Sequence, residues 1–259
     1  MGRVINENLA ERGIYNLTKF TEDCMICGKP LIYSQTDRIE KCYICGIPNS
    51  TNTTCEDGHY ICDSCHSEEG VLLISIEVVK STSINPVEMA AEIMRQKEIN
   101  IHGPEHHYLV VAVLLVAYKN AGGIVDLESA LQIARQRTKN VYGGICGLWG
   151  SCGAGIATGI FISIITKATP LSEKEWSLAN EMTSQSLHDI SKNGGPRCCK
   201  RNTNLAIYRA VDFVKANFNI YMELPNQTSC EFTNMRRGAV APCLLYNVKQ
   251  VVSSCKSGR

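Results

Sequence analysis

The pattern of apolar and polar positions divides the chain into two parts. Residues 20–67 are polar, rich in turns and cysteine, and have few apolar residues from which to build a core. Beyond residue 85, apolar residues recur at the spacing of buried helix faces. The pattern predicts a mainly α protein with a small N-terminal module. The predicted boundaries are 1–19 for an extension, 20–67 for the module, 68–84 for a connecting segment and 85–259 for the all-α domain.

Helix start and stop signals support this interpretation. The stretch NPVEMAAEIMRQKE opens with Asn85 as the N-cap and Pro86 at the first helical position. The stretch PEHHYLVVAVLLVAYKNAGG predicts a buried helix that ends at Gly122 and Gly123. DLESALQIARQRTKN has the spacing of an amphipathic helix, and another buried helix is predicted from about Gly153 to Thr166.

Three further signals are less regular. The run GVLLISIEVVKS predicts a short buried strand or a connecting segment. Ser172-x-x-Glu175 predicts a capping box at the start of a long helix that closes at Gly194. Asn202 is the predicted cap of the last helix.

One segment between Lys139 and Lys167, NVYGGICGLWGSCGAGIATGIFISIIT, carries no charge and is long enough to cross a bilayer. Its first half is rich in glycine, which would leave backbone groups unsatisfied in lipid. We therefore expect no membrane span. The first twenty residues lack the apolar core of a signal peptide, so a cytoplasmic protein is expected.

Cysteine usage points to metal binding. The chain has 14 cysteines, and several fall in C-x-x-C pairs, which in a reducing compartment favour metal sites over disulfides. Two such pairs complete one tetrahedral zinc site, so the N-terminal module has ligands for one or two Zn²⁺ ions. The candidate ligands are Cys24, Cys27, Cys42, Cys45, Cys55, His59, Cys62 and Cys65.

The order of these pairs resembles a cross-braced RING or treble-clef arrangement. That resemblance implies that the first and third pairs share one metal and the second and fourth pairs share the other. A single four-cysteine ribbon is the alternative. In either case the metal would act structurally, because so polar a segment needs coupled binding energy, roughly 10–16 kcal/mol for structural zinc, to fold.

A second set of cysteines lies in the helical domain. The turns GGICGLWGSCGAG and NGGPRCCKRN place cysteines beside glycines at predicted helix starts, where the helix dipole favours thiolates or bound anions. Together they predict ligands for an iron–sulfur cluster, with [4Fe–4S] as the candidate type. Redox or sulfur-carrying thiols and inert buried cysteines are the alternatives. The candidate cofactor ligands are Cys146, Cys152, Cys198, Cys199 and Cys243.

The sequence also offers candidate catalytic residues, of two kinds. His106 and His107 are candidates for general acid–base groups or ligands, or alternatively for satisfied buried histidines. Arg197, with Lys200 and Arg201, is a candidate for lowering thiol pKa values or for binding a carboxylate or phosphate. The alternative for these cations is solvated surface charge.

Two resemblances bear on function. The stretches HGPEHHYLVVAVLLVAY, GGICGLWGSCGAGIATGIF and NGGPRCCKRN resemble an uncharacterised family of methanogenic archaea and anaerobic bacteria. The turn leading into GAGIATGIFISII is similar to the cluster-binding helical domain of L-serine dehydratases and L-cysteine desulfidases. The second resemblance implies an oxygen-sensitive [4Fe–4S] cluster whose open iron acts as a Lewis acid.

Three functions are consistent with these features. The first is an enzyme of anaerobic sulfur metabolism that performs desulfuration, sulfur transfer or elimination on a small anionic or thiol substrate. The second is a metal-binding accessory protein that docks on a larger protein complex. The third is a factor in tRNA thiolation, which the eleven Lys/Arg against three Asp/Glu from Lys192 onward would suit. No aromatic and basic interleaving supports nucleic-acid binding, so this hypothesis ranks last.

Overall fold

The structure is a computed structural model that describes residues 24–226, so the predicted extension 1–19 lies outside the described residues. The chain divides into two compact units, with the division between Cys65 and His66. The described elements are β1 (Leu31–Lys41), β2 (Pro48–Cys55), α1 (Asp63–Val78), α2 (Pro86–Met94), α3 (Glu105–Asn120), α4 (Leu127–Thr138), α5 (Ile145–Leu148), α6 (Gly153–Ile165), α7 (Lys174–Lys192) and α8 (Cys199–Phe218). The fold is mainly helical, as the pattern predicted.

The N-terminal unit is built around the antiparallel hairpin of β1 and β2. Leu31 pairs with Cys55 at one end and Lys41 with Pro48 at the other, with an irregularity in register between Tyr33 and Arg38. Its buried apolar cluster is very small and consists of Cys24, Ile26 and Cys55 with Leu31 and Ile61 packed against them. So small a core does not stabilise an independent fold without metal ions or cross-links.

The helical unit is organised around α3. Every residue of α3 from Glu105 to Tyr118 is buried, and α3 packs against α2, α4, α6 and α8. A helix that is apolar on all sides is stable only when other helices surround it. The unbroken run YLVVAVLLVAY therefore determines that α3 is the centre of this unit.

Several predicted helix signals are confirmed. The Asn85 side chain accepts a hydrogen bond from the Glu88 N–H at 3.2 Å and caps α2. Helix α3 ends at Asn120, and Gly122 follows with a left-handed φ of +92°. Helix α6 covers Gly153–Ile165, one residue short of the predicted end.

Two of the cap predictions are wrong. The Ser172 hydroxyl accepts a hydrogen bond from the Thr169 N–H at 3.0 Å, so it is used in the preceding turn, and α7 begins only at Lys174. Asn202 lies inside α8, because the extended backbone of Cys198 already provides the N-cap position. Local sequence did not distinguish these caps from nearby alternatives.

The run GVLLISIEVVKS is also corrected, because most of it belongs to the helix α1 rather than to a strand. Gly70, Ile74 and Val78 are buried at a spacing of four residues, which is the period of a helix face. The hairpin and the short helix α5 were not predicted at all. None of the helices in residues 24–226 combines the length and the hydropathy that a bilayer span requires.

Gly159 sets the close approach of α6 to α7. A Cβ at this position would lie 1.9 Å from the Thr183 Oγ1 atom and 2.8 Å from the Ala179 carbonyl oxygen. We expect Gly159→Ala to lower the free energy of unfolding by about 1–3 kcal/mol, because the two helices must move apart. Urea denaturation followed by helical circular dichroism measures this loss. Gly147→Ala is the control, since a Cβ there meets nothing within 4 Å; equal losses for both variants would contradict the explanation.

Candidate metal centres and a buried polar centre

The first quartet of possible metal ligands is Cys24, Cys27, Cys55 and His59. The Cys27 and Cys55 sulfurs lie 3.7 Å apart, and the His59 Nδ1 atom lies 3.4 Å from the Cys55 sulfur and 3.9 Å from the Cys24 sulfur. Sulfurs bound about 2.3 Å from one tetrahedral zinc lie about 3.8 Å apart. The quartet therefore has the dimensions of a single-metal tetrahedral site.

The second quartet is Cys42, Cys45, Cys62 and Cys65. The first two follow β1 in the turn of the hairpin, Cys62 directly precedes α1, and Cys65 lies in the first turn of that helix. The Cys45 and Cys62 sulfurs are 3.9 Å apart, which again fits one metal ion. The structure thus groups the eight ligands in the cross-braced order, and not as one ribbon.

Backbone geometry prepares both quartets for anionic sulfur. The Cys24, Cys55 and Cys42 sulfurs accept hydrogen bonds from the N–H groups of Ile26, His59 and Cys62 at 3.4, 3.3 and 3.4 Å. The residue after each of the first two C-x-x-C pairs is a glycine, Gly28 or Gly46, with a left-handed φ of +72° or +70°. Such turns direct amide groups at the thiolates, which is the usual surrounding of metal-bound cysteine.

The thiol pKa values show how these contacts compete with burial. Burial acts to raise the pKa of Cys42, but the N–H groups of Cys45, Cys62 and Ile44 outweigh it and lower this pKa to about 7. Burial raises the pKa of Cys24 to about 11, and the neighbouring thiols of the first quartet add to this rise. A metal ion would hold every cysteine ligand as a thiolate, so metal binding would release protons from these thiols.

Each quartet supplies four ligands and therefore a closed coordination sphere. Closed tetrahedral sites with sulfur and nitrogen donors are structural, whereas catalytic zinc sites keep one position open. The donor set fits zinc or another tetrahedral thiophilic ion. Within residues 24–226, no third group of three or more Cys, His, Asp or Glu ligands has this close spacing.

Three helices of the second unit, α3, α6 and α8, begin close together and enclose a buried polar centre. The Asn202 side chain of α8 donates to the Cys152 sulfur at the start of α6, at 3.4 Å. A Cβ on Gly153 would lie 2.1 Å from His107 Nε2 of α3. We call the following residues the polar centre: Glu105, His106, His107, Cys152, Cys199, Asn202 and Thr203.

His106 is fully hydrogen-bonded within the polar centre. Its Nε2 donates to the Asn100 carbonyl oxygen at 3.0 Å, and its Nδ1 accepts from the Thr203 hydroxyl at 3.3 Å. Burial lowers its pKa to about 3, and the nearby positive charge of Lys200 adds to this effect. This geometry favours the satisfied buried histidine over the general acid–base group.

His107 faces the start of α6. Its Nδ1 donates to the Val141 carbonyl oxygen at 3.0 Å, which leaves Nε2 as the acceptor nitrogen directed at Gly153. Any side chain at position 153 would collide with this ring. Gly153 is therefore required for the contact between α3 and α6, a role that its position in the glycine-rich turn did not reveal.

The predicted cofactor cysteines are only partly brought together. Cys152 and Cys199 lie near each other at the starts of α6 and α8, and Cys198 is the buried N-cap of α8. Burial raises the pKa of Cys199 to about 12 despite the opposing charge of Arg197, so Cys199 is a neutral thiol in this environment. Cys146 lies in α5 and is partly exposed, and Cys243 lies outside the described residues.

Two of the three basic residues around these cysteines are buried and bind backbone carbonyls of the protein itself. Lys200 and Arg201 are buried, with exposures of 1% and 6%, which contradicts the interpretation as surface charge. Lys200 donates to the Met94 carbonyl at the end of α2, and Arg201 donates to the Gly194 carbonyl at 2.7 Å after the end of α7. Cations at helix C-termini are stabilised by the helix dipole. Arg197 is partly exposed and is the cation whose charge reaches Cys199.

Glu105 is a fully buried carboxyl group of the polar centre that no sequence pattern indicated. Its side chain has no exposed surface, its Oε1 accepts from the Asn100 N–H at 3.0 Å, and its Oε2 lies 4.0 Å from His66 Nδ1. Burial raises the pKa of Glu105, and the His66 charge acts against that rise. An acidic residue in the first turn of a helix is usually exposed, so its position alone gave no signal of burial.

These features define a chain with two metal-ligand quartets followed by an all-α unit. The chain belongs to a family of unknown function, DUF5714, whose model matches residues 74–245. The matched range contains the polar centre and none of the quartet ligands. No curated protein and no solved structure matches the chain. The likeness to the dehydratases and desulfidases, and the occurrence in anaerobes, therefore stay predictions.

The burial of neutral His106 predicts a specific pH dependence. Its pKa falls from the usual 6.5 to about 3 on folding, so the unfolded chain binds a proton that the folded chain does not. The stability gained from neutral His106 is complete above pH 6.5 and is lost toward pH 3, with a slope of up to about 1.4 kcal/mol per pH unit. We expect His106→Gln to lack this part of the slope in urea denaturation from pH 7 to 4.

The control is His188→Gln, since His188 is exposed on α7. Both variants keep the metal quartets, so the acid sensitivity of those sites cancels in the comparison with the unchanged protein. A stability difference between the unchanged protein and His106→Gln that stays constant with pH would contradict the assignment.

Proposed function

We propose that this protein is a zinc-binding accessory protein in which two structural zinc ions fold an N-terminal docking module. The observation that carries the proposal is the sorting of eight ligands into two closed, interleaved quartets with donor distances of 3.4–3.9 Å. Zinc suits a tetrahedral set of three or four thiolates, and closed sites leave no position for a substrate. The role of the metal is therefore to supply folding free energy.

The surface of the N-terminal unit supports a role in protein contacts. Its hairpin exposes large apolar side chains although its own core is very small. Ile39 is 71% exposed and Ile32 is 52% exposed, while Tyr33, Tyr43 and Ile47 are also exposed. We infer that several exposed apolar side chains on so small a unit serve to bind another protein. The partner would be a component of a larger protein complex.

Metal analysis tests the zinc assignment. We expect the purified protein to contain two zinc ions per chain, and Cys27→Ser and Cys45→Ser each to lose about one, because each removes one ligand of a different quartet. Cys146→Ser should retain both ions, since Cys146 belongs to neither quartet. Chelation should unfold the N-terminal unit and leave the helical signal of the larger unit largely intact. Zinc loss from Cys146→Ser, or none from Cys27→Ser and Cys45→Ser, would contradict the proposal.

A second candidate function is enzymatic and concerns the polar centre. The observation that favours it is the meeting of three helix starts with two cysteines and a buried carboxyl group, Cys152, Cys199 and Glu105. In this function Cys146, Cys152, Cys198 or Cys199, and Cys243 would hold an iron–sulfur cluster, with His107 and Arg197 beside it. Such a cluster, when bound, would supply a Lewis-acidic iron for desulfuration, sulfur transfer or elimination on a small thiol or anionic substrate.

Anaerobic purification separates the two candidate functions. If the cluster exists, we expect iron and acid-labile sulfide in the protein, and Cys152→Ala and the double variant Cys198→Ala/Cys199→Ala should each lose the visible absorption of the cluster. Cys255→Ala is the control and should retain this absorption, because Cys255 is not among the candidate ligands. Zinc without iron after anaerobic purification would exclude the enzymatic candidate and leave the accessory function.

A further inference from the structure

We propose that the side chain of Asn100 couples metal binding in the second quartet to the polar centre of the helical unit. The proposal rests on the assignment of a metal to that quartet, because it begins at the ligand Cys65. Asn100 acts as a positioning residue, through the groups that it holds. No step requires a substrate.

The connection begins in the first turn of α1. Cys65 is the last ligand of the second quartet, and His66 is the next residue of the same turn. A metal ion on Cys65 fixes the backbone of this turn. The His66 carbonyl oxygen accepts a hydrogen bond from the Asn100 side-chain amide at 3.3 Å. The position of Asn100 therefore depends on the backbone that follows the ligand.

Asn100 continues the connection through its own backbone. Its N–H donates to Glu105 Oε1 at 3.0 Å, and its carbonyl oxygen accepts from His106 Nε2 at 3.0 Å. The other nitrogen of His106 accepts from the Thr203 hydroxyl of α8 at 3.3 Å. An unbroken series of hydrogen bonds thus runs from His66 to the first turns of α8, the helix that begins with Cys199.

The members of this series cannot move independently. Glu105 and His106 are buried, so a shift of Asn100 leaves their polar atoms without partners unless they shift as well. A second contact also links the start of α1 to this series, because His66 Nδ1 lies 4.0 Å from Glu105 Oε2. When the metal is lost, the start of α1 is free to move. This movement is passed along the series to the start of α8 and makes the Cys199 thiol more accessible.

Asn100→Ala removes only the first bond of the series. The amide that donates to His66 is lost, whereas the two bonds made by the Asn100 backbone remain possible. The matched control is Asn120→Ala, because the Asn120 amide likewise donates to backbone carbonyls, those of Ser81 and Ser83 at 3.1 and 2.9 Å. Neither residue is a member of the polar centre or a metal ligand.

The experiment measures the rate at which N-ethylmaleimide alkylates Cys199 in the full-length protein, resolved by peptide mass spectrometry, with zinc bound and after chelation. We expect zinc to slow the alkylation of Cys199 by roughly two- to thirtyfold, the range that coupling between connected sites spans. Asn100→Ala should abolish most of this difference, and Asn120→Ala should keep it.

Each other outcome decides against the coupling. Zinc that binds without changing the Cys199 rate, or an undiminished zinc effect in Asn100→Ala, would overturn it while leaving the zinc assignment intact. The second of these results is also the one expected if chelation simply unfolds the helical unit. A protein that binds no zinc at all would overturn the zinc assignment and this proposal with it, and metal analysis of the same samples detects that case.

Discussion

The complete burial of α3 is the constraint on which the helical unit depends. A helix surrounded by other helices cannot leave its first N–H groups or its polar side chains to water. Glu105, His106 and His107 occupy the first turn of α3, so neighbouring segments must supply their partners. The loop at Asn100 does so for Glu105 and His106, Thr203 of α8 also contacts His106, and the Val141 carbonyl oxygen accepts from His107. The polar centre is therefore a consequence of burying this one helix.

The two units reach stability by different physical means. The helical unit buries a large apolar cluster built from six of its helices and the end of α1. The N-terminal unit has almost no apolar core and instead gathers eight residues that could bind metal within two small volumes. Hydrophobic burial stabilises the first, and coordination of a metal ion is the available source of folding free energy for the second. The proposed docking role and the proposed chemistry therefore belong to units that are stabilised in different ways.

Charged groups inside the helical unit serve mainly to close its helix ends. Lys200 and Arg201 lie in the first turn of α8, yet their side chains reach carbonyls at the ends of α2 and α7. These contacts hold the start of α8 against two other helices and keep the buried cations satisfied. The basic sequence beside the two cysteines therefore reflects architecture in part, and only Arg197 is placed to act on the Cys199 thiol.

The sequence by itself determined the helices with strong periodicity and caps, such as α2 and α3, and the spacing of the metal ligands. These features are local, since a helix face or a C-x-x-C turn is complete within a few residues. Only the tertiary structure decided that GVLLISIEVVKS forms a helix, that Asn202 and Ser172 are not caps, and that Lys200 is buried. It also decided the pairing of ligands and the burial of Glu105. Each of these depends on contacts between residues distant in sequence, which no local pattern contains.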